Sequence, residues 1–360
     1  MKNHTPTYWD YLNINTLLSL QDGLDGGKPL HADETHFIVV HQIHELWFKL
    51  CIGEVRLARD KFESHVVAEN TIPFVVHHMR RVIEILNVSQ QHWSVVETLT
   101  PLDFLDFRDK LTPASGFQSY QIRVLEILLG LDESMRETEG TVNPFDHIRK
   151  LTENSPGGAV AWEHIEKARS ERTLRACIHD WLYRTPIQGS SPGDPGDDEV
   201  VKEFIESYLQ SGRDRNTQRL ERLIEVSAGE PAKLKARFTA TETSTSEFLT
   251  TDDPRLRRIR AAVLFIESYR ELPLLAWPRL LIDTVMELEQ QFVMFRARHA
   301  RMVERMIGRR VGTGGSSGVD YLDKTTQYRV FPELWAVRTC LQPRDALPEL
   351  KNREAYDFVR

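Results

Sequence analysis

The chain is poor in cysteine, with three in 360 residues. Cys51, Cys177 and Cys340 are odd in number, widely spaced and free of any CxxC pattern. That excludes a disulfide framework and a cysteine-ligated metal, and it fits a reducing compartment. No apolar run approaches the roughly 18 residues of a membrane span. The first residues, Met-Lys-Asn-His-Thr-Pro, lack the apolar core of a secretory signal. Positive charge is in deficit: the net charge is -7, which argues against nucleic acid or an anionic membrane surface as partner. Strand-like alternation is nearly absent, and no internal repeat is visible. A GxSxG elbow, an HExxH pair and a cysteine-nucleophile context are also missing. These absences predict a soluble, cytoplasmic protein that binds neither nucleic acid nor membrane.

Hydrophobic residues make up 41% and charged residues 28%, ordinary proportions for a chain long enough to bury a large core. Apolar residues recur at helical spacing, so the expected fold class is all-α, a helical bundle forming one domain over 1–360. Helices are expected over 8–20, 31–65 and 71–98, then from Pro101 and from about Phe117. Two more are expected within 143–186, and others over 198–211, 214–227 and 253–271. Residues 23–29, a flexible surface segment at 188–199 and the polar run Thr239 to Ser246 read as loops.

The most informative stretch runs from Arg279 to Gly318. Leu281, Val285, Leu288, Phe292, Phe295, Met302 and Met306 step by three and four, the mark of one buried helical face. His299 lies on that stripe. Of 13 histidines, it is the only one beyond His179. The loop Gly312-Thr313-Gly314-Gly315-Ser316-Ser317-Gly318 follows, without the Lys-Ser/Thr pair of a P-loop. Taken singly, a histidine on an apolar face is most often a satisfied core residue, and a Gly/Ser run a connector. A second helix, around Phe37 to Lys49, is apolar on most faces yet holds His41 and Glu45 one turn apart, and both need partners if buried. The pairs His77-His78 and His41/His44 leave a non-haem metal open but poorly supported, since adjacent histidines point to different faces. Isolated buried histidines on separate apolar helices match what a haem pocket requires, a neutral imidazole in an apolar shell.

Several separate motifs carry a resemblance across nearly the whole chain. They are Thr7-Tyr8-Trp9-Asp10-Tyr11-Leu12, Asp33-Glu34 with Phe37-Ile38 and His41-Gln42, and Glu45-Leu46-Trp47-Phe48-Lys49. Further on come Leu102-Asp103-Phe104 with Phe107-Arg108, Ser115-Gly116-Phe117-Gln118-Ser119, and Arg298-His299 with the glycine loop. In these the chain resembles the tryptophan 2,3-dioxygenases, helical enzymes enclosing a haem b pocket. The resemblance implies that His299 is the proximal ligand of the haem iron and His41 the distal histidine facing the indole N–H. It implies that Phe37 and Phe104 wall the indole and that Arg108 pairs with the substrate carboxylate, for which its planar fork is suited. Thr313 would bind the amino-acid end of the substrate. Ser115 would lie near haem and the substrate ammonium, with Gly314 on the haem side. Tyr8, Tyr11 and Leu12 match an N-terminal helix that reaches a neighbouring subunit's site, which implies a homotetramer. The implied reaction inserts dioxygen across the indole C2–C3 bond of L-tryptophan to give N-formylkynurenine, the first step of tryptophan degradation. Two alternatives stand beside it: a haem oxygenase of a substituted tryptophan, including a mono-oxygenase giving an oxindole, and a haem sensor or inactive helical scaffold. The resemblance assigns no role to His44.

Overall fold

The computed structural model describes residues 5–23, 30–64, 67–136, 143–152, 155–226, 230–315 and 317–358. The first four residues, most of the 23–29 loop, His65 and Ser316 lie outside them. The described residues form fifteen α-helices and no strand, as the lack of two-residue alternation predicts. The chain makes two compact units, each assembled from three separated stretches.

The first unit comprises residues 1–54, 81–171 and 290–328. It holds α1 (Tyr8–Tyr11), α2 (Ile14–Leu17), α5 (Pro101–Arg108), α6 (Tyr120–Leu129), α7 (Pro144–Leu151), α8 (Pro156–Ser170) and α14 (Val319–Thr325). It also takes portions of the long helices α3 (Ala32–Asp60), α4 (Ile72–Val96) and α13 (Ala276–Ile307). Local chemistry sets the boundaries. The Thr100 hydroxyl accepts the Asp103 N–H at 3.2 Å, and Pro101 occupies the first helical position, where its missing N–H costs nothing. Gly130 ends α6 with φ 105°, a conformation that glycine adopts without strain, and its N–H reaches the Glu126 carbonyl at 3.1 Å. On α13 every residue of the expected stripe is buried, from Leu281 to Met306.

The second unit comprises residues 55–80, 172–289 and 329–360. It contains α9 (Leu174–Arg184), α10 (Asp197–Val226), α11 (Pro231–Leu249), α12 (Pro254–Ser268) and α15 (Pro332–Cys340). Helix α12 is buried on every side from Ala261 to Ile266 and packs against α9, α10, α11 and α15. Its one deeply buried guanidinium is fully bonded. Arg258 holds Asp197 at 2.7 and 2.8 Å and donates to the carbonyls of Tyr183, Thr185 and Ser190.

Four expectations need correction. The expected helix over 8–20 is two short ones, divided where Asn13 takes a left-handed φ of 50°. The stretch 143–186 holds three helices, because Ser155 and Thr173 each cap a new start. The expected break at 211–214 is absent: α10 runs through Gly212, where Gln342 fills the space a side chain would take. The polar run Thr239 to Ser246 is helical within α11. Its Thr241 hydroxyl bonds back to the Arg237 carbonyl at 3.0 Å, and Glu242 accepts from Asn216 of α10 at 2.9 Å. The 188–199 segment is anchored at both ends. Gln188 is buried and bonded to residues 349–352, and Ser190 bonds the buried Asp197 at 2.8 Å.

Removing one partner of a buried, fully bonded ion pair strands the other charge. Arg258→Ala is therefore expected to lower unfolding free energy by about 3–5 kcal/mol. Arg215→Ala, which breaks the exposed pair with Asp345, is expected to cost no more than about 1 kcal/mol. Denaturant unfolding of the two variants checks the contrast.

Candidate active site

Helical spacing delivers most of this site. On α3, Phe37 and His41 lie one turn apart; on α5, Phe104 and Arg108 do the same. Helix α13 presents His299, the segment before α6 presents Ser115, and the glycine loop presents Thr313. All seven border one cavity of the first unit, with a volume of about 200 Å³. Val96, Leu99, Phe295, Met302 and Met306 supply much of the remaining apolar lining.

Burial decides the state of both imidazoles. Enclosure pushes the His299 pKa down to about 3 and that of His41 down to about 4, so both rings are neutral at neutral pH. The His41 Nδ1 lies 2.7 Å from the Phe37 carbonyl. A carbonyl oxygen only accepts, so Nδ1 carries the hydrogen and Nε2 keeps its lone pair. The Phe37 ring lies 4.0 Å from that of His41 and 5.6 Å from that of Phe104, forming an aromatic wall. Neutral imidazole is the form that ligates a metal. His299 has it, and among the described residues nothing hydrogen-bonds its ring.

The glycine loop rests on the segment between α5 and α6. Arg108 Nη2 donates to the Val311 carbonyl at 2.5 Å, and the Thr313 hydroxyl donates to the Ala114 carbonyl at 2.7 Å. Ser115 Oγ accepts the Phe117 N–H at 3.2 Å. Gly314 lies flat against Ser115: a Cβ there would come within 2.9 Å of the Ser115 Cβ.

One wall carries buried charge that sequence reading did not anticipate. Glu126 accepts from Arg136 at 2.5 Å, Arg296 at 2.8 Å and Arg123 at 3.0 Å. Burial by itself would raise the Glu126 pKa, but the charges of Arg123, Arg136 and Arg296 outweigh it and hold the carboxyl well below its usual range. Three guanidiniums against one carboxylate leave two positive charges in surplus. Of this wall's groups, Arg123 Nε, Arg136 Nε and Nη2 and the Tyr321 hydroxyl are buried with no hydrogen-bond partner among the described residues. The available signal was a charged residue inside an apolar run, Glu126 among Val124 to Leu129 and Arg296 beside Phe295.

Tyr8, Tyr11 and Leu12 do not join this cavity. They are 70%, 83% and 44% exposed. Among the described residues no helix is long and apolar enough to cross a membrane.

The family model described as tryptophan 2,3-dioxygenase matches residues 2–341. The chain is 44% identical to a tryptophan 2,3-dioxygenase of Sorangium cellulosum, over 98% of this chain and 87% of that one. It is 43% identical to tryptophan 2,3-dioxygenase 2 of Ralstonia nicotianae, over 98% of both. It is 35% identical to a tryptophan 2,3-dioxygenase of Xenopus laevis, over 98% of this chain and 86% of that one.

The Gly314–Ser115 contact gives a direct test of how the loop is seated. Gly314→Ala is expected to lift the loop and speed tryptic cleavage at the exposed Arg309 and Arg310 by roughly tenfold, the effect of about 1.4 kcal/mol on local opening. Adding Ser115→Gly removes the clashing Cβ and is expected to restore resistance. A double variant as labile as the single one rejects the contact.

Proposed function

We propose, from the premise that this chain belongs to the tryptophan 2,3-dioxygenase family, that it is a haem-dependent enzyme adding dioxygen across the indole C2–C3 bond of L-tryptophan. The product is N-formylkynurenine. The observation that carries the reading is the convergence of His299, His41, Phe37, Phe104, Arg108, Ser115 and Thr313 on one cavity. The dioxygenase names of relatives at 35–44% identity favour it over mono-oxygenation of a substituted tryptophan.

The residues fit haem b. His299 offers a neutral imidazole in an apolar shell, and the Arg123, Arg296 and Tyr321 wall offers surplus positive charge and orphaned donors for the two haem carboxylates. Bound haem iron supplies the oxygen activation that protein side chains cannot. The chain supplies the rest. Phe37 and Phe104 bound a flat apolar slot for the indole, and the Nε2 lone pair of His41 accepts the indole N–H. Arg108 exchanges its bond to the Val311 carbonyl for the substrate carboxylate, which its two-pronged guanidinium holds in register. Thr313 exchanges the Ala114 carbonyl for the amino-acid end, and Ser115, with Gly314 packed on it, would serve haem and the substrate ammonium from the same cavity wall. The apolar walls exclude water, which strengthens each of these polar contacts.

The exposed aromatic and aliphatic side chains of α1 and α2 support a homotetramer in which this N-terminal segment reaches a neighbour's site. Three free, buried cysteines support a cytoplasmic location.

Anaerobic reduction of haem-loaded protein, then addition of oxygen and L-tryptophan, is expected to yield N-formylkynurenine; an intact indole ring in the product rejects the reading. Arg108→Ala is expected to weaken tryptophan binding by roughly 2–4 kcal/mol, and unchanged affinity rejects its role. His41→Ala is expected to lower activity yet keep haem.

The pH profile follows from the His41 pKa near 4. Its Nε2 accepts a hydrogen bond only when neutral, so affinity is expected to stay level on acidification through about pH 5. Below about pH 4 it should fall by roughly tenfold per unit. A fall centred near the ordinary histidine value of about 6.5 contradicts the buried, neutral assignment.

A further inference from the structure

Three aromatic rings stand face to face behind the cavity. His44 stacks on Trp93 at 4.1 Å and 17°, and the Trp93 ring stacks on His299 at 4.6 Å and 13°. Neither His44 nor Trp93 borders the cavity. We propose that Trp93, backed by His44, is the positioning residue that fixes the plane of the His299 imidazole. This inference rests on the reading of His299 as the haem ligand.

A metal-binding histidine is ordinarily oriented by a hydrogen bond from its second ring nitrogen to a carboxylate, a carbonyl or water. No protein group among the described residues makes such a bond to His299. Among protein groups, what can stop the ring from turning is what lies against its face, and that is the indole of Trp93. A flat stack is sensitive to rotation about an axis in the ring plane, because turning either ring drives its edge into the other face.

The backing is itself held. His44 is buried, its Nδ1 lies 2.8 Å from the Val40 carbonyl and its Nε2 3.3 Å from the Ser89 carbonyl. A neutral ring carries one N–H, and the shorter contact puts it on Nδ1, donating to the Val40 carbonyl, which fixes the ring plane. Trp93 is 3% exposed, and its Nε1 has no hydrogen-bond partner among the described residues. Ring contacts therefore orient it: His44 and His299 stack on it, and Phe295 lies at 5.7 Å and 39°. Phe295 precedes His299 by one turn of α13. The consequence for the ligand is electronic as well as geometric. With no carboxylate pulling on its second N–H, the imidazole keeps neutral character, and its electron donation to iron depends on the ring plane that the stack selects.

The test uses ferric, haem-loaded protein saturated with cyanide. The spread and order of the four haem-methyl proton shifts report the plane of the axial imidazole. Trp93→Leu, which removes the flat surface, is expected to change that order and to cut activity by roughly tenfold or more. Trp93→Phe, which keeps a flat ring, is expected to restore the wild-type order. His44→Ala removes only the backing and is expected to reduce the spread while haem stays bound. A haem-loaded Trp93→Leu protein with the wild-type methyl pattern overturns the proposal. Where Trp93→Leu does not fold, a wild-type pattern in His44→Ala overturns it equally. Wild-type protein that takes up no haem overturns the proposed function and this inference together. Normal haem uptake with a methyl pattern indifferent to both stack residues overturns the inference alone.

Discussion

Enclosure of two imidazoles in an apolar wall is the constraint on which the rest of this structure depends. Water would leave each ring free to take a proton near its ordinary pKa. Burial instead depresses both, to about 3 for His299 and about 4 for His41. A neutral His299 has a lone pair for a metal, and a neutral His41 has one for an N–H donor. The long apolar helices α3 and α13 exist in service of that enclosure. Their stripes carry one polar ring each to the cavity and bury nearly everything else beside it.

The haem and zwitterionic amino acid proposed for this apolar cavity would each need polar groups at defined points. The first unit supplies them in two ways. At the back wall, Glu126 gathers Arg123, Arg136 and Arg296 and leaves a surplus of positive charge. At the mouth, Arg108 and Thr313 are satisfied by backbone carbonyls of the loop and of the α5–α6 segment. Those mouth bonds go to neutral backbone carbonyls and are replaceable. The back-wall bonds are ionic and deeply buried, and breaking one strands a charge. The contrast suits a permanent cofactor on one side and an exchanging substrate on the other.

Much of this was legible in the sequence. The stripe from Leu281 to Met306 announced α13 by its three-and-four spacing, and Thr100-Pro101 announced α5 by its capping chemistry. His299 stood out on an apolar face, although only the resemblance joined it to His41, Arg108 and Thr313. What stayed hidden depends on contacts distant in sequence. Arg296 and Glu126 are 170 residues apart, and no local pattern links them. No sequence pattern marked Trp93, and His44 had no assigned role; only the stacked rings bring the two together. The helix through Thr239 to Ser246 was missed because its β-branched and hydroxyl residues disfavour helix locally. Back-bonding to the preceding turn and packing against α10 override that preference.

The assignment of His299 as axial ligand of a haem in this cavity is the proposal from which the other roles follow. Titration of haem into haem-free protein, followed by its absorption spectrum, tests it most directly when His299→Gly is compared with wild type. The account predicts saturation at one haem per chain with a histidine-ligated spectrum in wild type. It predicts loss of that spectrum in His299→Gly and its return when free imidazole is added. A His299→Gly protein that binds haem with the wild-type spectrum, without imidazole, would contradict it.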